Sequence, residues 1–114
     1  MKLMQRLKDR PILEAEITKS VREYLKMKRI FHYKQWQGLG SLHGISDIIG
    51  ILNGKYLAIE VKRPGKSPSP KQQAFLDRVN SEGGIGIIVR SVGDVHVFLS
   101  NILNKGRIED RPED

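Results

Sequence analysis

The segment GISDIIGILNGKYLAIEVKRPG, residues 44–65, sets the fold. An apolar run at 46–52 and a second at 55–62 flank Asn53-Gly54, a dipeptide that favours a two-residue β-hairpin turn. With that turn the paired residue numbers sum to 107, so Leu52 faces Lys55, Ile48 faces Ile59 and Asp47 faces Glu60. Directly opposed side chains in an antiparallel pair have Cβ atoms about 4.5–5.5 Å apart. Lys62, two residues past Glu60, falls on the same face and Val61 on the other. A longer turn or a bulge would shift this pairing.

Two like charges opposed on a half-buried sheet are unfavourable unless a cation lies between them. Magnesium suits the position, because it prefers hard oxygen ligands and takes one or two carboxylates. A neighbouring ammonium can help activate a water or stabilise charge on a phosphate. Asp47, Glu60 and Lys62 therefore point to a phosphodiesterase centre. The plainer alternative makes Glu60–Lys62 a surface ion pair and Asp47 a carboxylate bonded to nearby loop backbone.

Working outward, residues 11–29 predict a helix, with Pro11 in its first turn and Leu13, Ile17, Val21, Tyr24 and Leu25 at spacings of three and four. Lys26, Lys28 and Arg29 near its end complement the helix dipole. A short strand-like piece and a glycine-rich loop lead into the hairpin. After a Pro/Ser/Gly loop at 63–70, a second helix is expected with Ser69 as N-cap, Pro70 in its first turn and Gly83-Gly84 at its end. IGIIVR, 85–90, reads as a strand. The segment after Ser91 fits a helix with Asp94 at its third position, although Val95–Val97–Leu99 also permits a strand. The order is α-β-β-β-α-β-α: an α/β fold with a small mixed β-sheet flanked by helices. Residues 1–104 are read as one domain and 105–114 as a polar, flexible tail.

The chain has 114 residues, with 20 Lys and Arg against 13 Asp and Glu, for a net charge of +7. This balance favours a polyanionic partner, nucleic acid first. Cysteine is absent, which excludes disulfides and thiolate metal sites. No apolar run reaches the roughly 18–20 residues of a membrane span, and no signal peptide is expected. A cytoplasmic protein is the expectation.

Gly44-Ile45-Ser46-Asp47, YLAIEVKRPG (56–65), SPKQQAFL (69–76) and GIGIIVRS (84–91) together resemble the VRR-NUC domain of the PD-(D/E)XK nuclease superfamily. The likeness spans roughly residues 12–100. It implies a restriction-endonuclease-like core and a Mg²⁺-dependent endonuclease, with Mn²⁺ able to substitute. Small standalone domains of this kind occur in bacteriophages and are similar to Holliday-junction resolvases. The implied substrate is branched DNA, the implied assembly a homodimer in the bacterial cytoplasm, and no small-molecule substrate is expected. Flap, nick or restriction-like cleavage is the enzymatic alternative, and a catalytically silent DNA-binding module the other.

By that resemblance Asp47 and Glu60 are metal ligands, Lys62 is catalytic, and the Val61 carbonyl is a further ligand. A helical glutamate falls on Glu14, with Glu16 as alternative, and a helical glutamine on Gln72, with Gln73 as alternative. Ser46 replaces a proline common in the family. Lys34, Arg63, Lys66 and Lys71 are placed as DNA contacts flanking the site on loops. Trp36 either stacks on an unpaired base or belongs to the core. His43 either supports Asp47 or has no role, and Arg90 either braces the fold or touches DNA.

Overall fold

The computed structural model describes residues 12–38 and 42–110, with side chains up to 103. The elements are α1 (Glu14–Met27), β1 (His32–Lys34), β2 (Ile48–Leu52), β3 (Lys55–Val61), α2 (Pro70–Ser81), β4 (Ile85–Val89) and α3 (Val92–Asp110). This is the expected α-β-β-β-α-β-α order. The sheet runs β1-β2-β3-β4, with β1/β2 and β2/β3 antiparallel and β3/β4 parallel. Helix α2 is the crossover that a parallel β3/β4 pair requires.

The hairpin has the register read from its turn: Leu52 pairs with Lys55, and the ladder continues to Ile48 with Ile59. Asn53 and Gly54 both take positive φ, 52° and 78°, as a type I′ turn demands. Alternation then sorts the side chains between two faces. Leu57, Ile59 and Val61 join Ile48 and Leu52 beneath Ile17, Val21 and Leu25 of α1 and Val95 and Leu99 of α3. On the other face, Ile49 and Ala58 pack with Ile45 under Leu76 and Val79 of α2. Glu60 shares the face of Ala58, two residues away. Helix α2 leaves part of this face open, and Phe31, Tyr33, Ile51 and Tyr56 are exposed there.

Helix α1 begins at Glu14, after Leu13; Pro11 lies outside the described residues. Leu13 has no side-chain acceptor to cap the helix, but its amide donates to Glu16 Oε1 at 3.2 Å. The helix ends in a Schellman-type closure. Ile30 N–H reaches Leu25 O at 2.9 Å and Arg29 N–H reaches Lys26 O at 2.9 Å, with Arg29 left-handed at φ 59°.

Helix α2 has the expected cap and a reciprocal bond. Gln72 N–H donates to Ser69 Oγ at 3.1 Å, and Ser69 N–H to Gln72 Oε1 at 2.8 Å. The segment after Ser91 is a helix, not a strand, and Asp94 N–H donates to Ser91 Oγ at 3.2 Å. Its backbone is helical to Asp110; 111–114 lie outside the described residues. Among the described residues, no helix is long and apolar enough to cross a membrane.

Candidate nuclease site

The hairpin builds the site at the end opposite its turn. Strand β2 starts at Ile48, so Asp47 stands just before it rather than inside the strand as expected. Its carboxylate is fixed on both oxygens: Val61 N–H donates to Oδ2 at 2.8 Å, and Gln37 Nε2 donates to Oδ1 at 3.0 Å. Part of the plainer reading therefore holds, since Asp47 does bond backbone. The backbone it bonds is that of β3, the strand carrying Glu60, which ties the carboxylate to the site. Gly44 sets the approach of the loop to α2: its φ is +76°, and a Cβ there would lie 2.3 Å from Lys71 O.

Glu60 is only 1% exposed. Burial, then the neighbouring Asp47 charge, pushes its carboxyl up to about 8, against the opposing pull of Lys62. Lys62 Nζ lies 3.6 Å from Glu60 Oε2. This is a largely buried pair rather than a surface one, with side-chain exposures of 14% and 1%. Among the described residues, Glu60 Oε1 is buried without a hydrogen-bond partner. A buried carboxylate oxygen with no donor, beside a second carboxylate, suits a hard divalent cation.

Glu14 lies on the stripe of α1 that carries Ile17, Val21 and Leu25. The C-terminal part of α1 shares a cavity with Leu52 and Asn53 at the hairpin turn, so the start of the helix lies towards the Asp47 end. Yet α1 covers the face opposite Glu60. Among the described residues no three His, Cys, Asp or Glu side chains converge as metal ligands, so Glu14 does not join Asp47 and Glu60 in such a group. Glu16 is taken up at the helix start. Gln72 is similarly engaged in capping α2, and Gln73 Nε2 bonds Asp77 Oδ1 at 2.9 Å.

Val61 turns its side chain into the core, leaving its backbone beside Asp47. Trp36 is 62% exposed, which removes the core alternative. With Lys34, Gln35, Gln37 and Asp47 it lines a cavity of about 540 Å³. Of the four expected DNA contacts, Arg63 and Lys66 are on the loop after β3. Lys34 instead sits on edge strand β1, and Lys71 in the first turn of α2. Lys71 Nζ lies 3.0 Å from His43 Nδ1, so His43 pairs with a lysine and not with Asp47. Arg90 donates to Lys66 O at 2.9 Å and thus braces the loop beyond Glu60 and Lys62. Gln37 escaped the sequence reading; its only signal there was its place in QWQ, ten residues before Asp47.

The VRR-NUC domain family model matches residues 3–93. A solved structure described as a VRR_NUC domain protein shares the fold with a TM-score of 0.67 and 18% identity, over 80% of this chain and 88% of that one. No curated protein matches the chain. The chain belongs to the VRR-NUC domain family, and its class of activity is that of a nuclease.

Proposed function

We propose that this protein is a divalent-metal-dependent, structure-specific DNA endonuclease that resolves Holliday junctions. The observation that carries the metal-dependent reading is the buried Glu60 Oε1, without a partner, beside Asp47. Asp47 and Glu60 would hold Mg²⁺ or Mn²⁺, with the Val61 carbonyl as a further ligand and Glu14 requiring a shift to reach it. A cation bound there would supply charge neutralisation at the scissile phosphate and would make water a better nucleophile.

The chain's own groups prepare the rest. Gln37 and the Val61 amide hold Asp47 in one orientation, so little is lost in ordering it during the reaction. Lys62, anchored by Glu60, places a positive charge where negative charge develops on the phosphate. Gln72 keeps a role in shaping the start of α2 and, through its remaining amide group, in orienting water or phosphate. Lys34, Arg63, Lys66 and Lys71 hold the backbone by charge, and Trp36 offers an exposed ring to an unpaired base.

The junction preference rests on the family likeness and on the combination of an exposed aromatic with a basic surround. A symmetric junction needs two nicks and one chain brings one site, so the working form is a homodimer. Four-way junctions, flaps and linear duplex, each with Mg²⁺ or EDTA, test the specificity. Paired symmetric nicks confined to the four-way junction are expected. Equal cutting of linear duplex would overturn junction resolution, leaving a nuclease of broader range.

A further inference from the structure

We propose that the outward face of α1, together with Lys34, is a phosphate-binding track for an arm of the DNA, leading away from the Asp47 site. The assignment rests on the nuclease reading and adds a surface to it. Lys19, Arg22 and Lys26 recur at spacings of three and four, so they stack along one face of the helix. Dipole complementarity accounts only for Lys26, the one basic residue in the last turn. With Lys34 reaching in from β1, these side chains line a cavity of about 290 Å³. Among the described residues, Glu23 is the only acidic group lining it.

Like charges at this spacing repel and do not stabilise a helix on their own account. Arg22 adds an independent sign: its Nε is buried and has no hydrogen-bond partner among the described residues. A buried guanidinium donor lacking an acceptor is matched by a phosphate oxygen, for which Arg has the right planar geometry. Lys34 joins this cavity to the one lined by Trp36, Gln37 and Asp47. Its strand residue pairs with Ile48, next to Asp47, so the track ends at the sheet edge beside the site. From Lys19 to Lys26 the helix rises about 10 Å, close to the rise along the duplex axis of three nucleotides of one strand at roughly 3.4 Å each.

The test is junction binding by fluorescence anisotropy in EDTA, across a range of salt, for the wild type and for K19Q/R22Q/K26Q, R22K and K55Q. K55Q removes one charge at the distant hairpin turn. The triple variant should bind at least tenfold more weakly at low salt, and its slope of log affinity against log salt should fall by about 2–3, near 0.9 for each phosphate no longer neutralised. R22K keeps the charge and should keep the slope while losing affinity with the guanidinium geometry, and K55Q should leave both unchanged. K19Q/K26Q, altering exposed lysines only, keeps the test readable should Arg22 be needed for folding; it should lower the slope by about 2. Lysine variants and a triple variant that bind like K55Q, with its slope, overturn the track. A wild type that binds junctions but cuts no DNA in Mg²⁺ overturns the nuclease reading while leaving the track standing.

Discussion

Glu60 is a carboxylate held in the sheet by packing, yet Oε1 lacks a donor among the described residues. Its folded pKa, about 8, lies above its ordinary value of 4.5, so the folded state binds the proton more tightly than the unfolded one. The corresponding stability is fully present below pH 4.5 and is lost as pH rises through about 8. Melting in EDTA should therefore show the midpoint falling across that window, and Glu60→Gln should flatten the fall. An equal slope in the variant would mean that other groups set the pH dependence. Lys62→Ala should reduce the cleavage rate at least 100-fold and leave DNA affinity in EDTA within about threefold, consistent with the size of transition-state charge stabilisation. Cleavage at the wild-type rate would remove Lys62 from the mechanism. The facing carboxylates were legible in the sequence because Asn53-Gly54 admits one tight register. The partners of Asp47 were not, since Gln37 comes from an irregular loop whose path no periodicity encodes.

Among the elements, those with explicit end signals were read best. Ser69, Pro70 and Gly83 bracket α2, and its boundaries follow them. The first helix was harder, because it starts without a side-chain cap at Leu13 and stops at a left-handed Arg29. That ending makes a stability prediction. The left-handed conformation costs a non-glycine residue roughly 1–2 kcal/mol, partly offset by the unfolded-state entropy that glycine adds. Arg29→Gly should raise the unfolding free energy in urea by about 0.5–1 kcal/mol, and a loss would mean that the arginine side chain contributes more than its backbone costs. The placement of α1 shows where periodicity runs out. Its apolar stripe identifies the buried side, and Glu14 lies along it, but only the assembled sheet decides that the helix covers the face opposite Glu60.

For the molecule as a whole, the mixed sheet puts the turn of the hairpin at one end and the carboxylates at the other, with cations on β1, the loop after β3 and the start of α2 around them. The order of elements followed from pattern alone. Which cations share a cavity did not, because Lys34 meets Lys19, Arg22 and Lys26 only through tertiary packing. Light scattering should give twice the 13.0 kDa chain mass, with one dimer bound per junction; a monomer with and without DNA would contradict the paired-nick mechanism. Metal-dependent cleavage at Asp47 is tested by the rate of four-way junction cutting in Mg²⁺ and in EDTA, for the wild type and for Asp47→Asn. Cleavage by the wild type is expected in Mg²⁺ alone, with a loss of at least 100-fold in a variant that still folds and binds DNA. Wild-type cleavage that persists in EDTA, or a variant that cuts as fast as its parent, would contradict this mechanism.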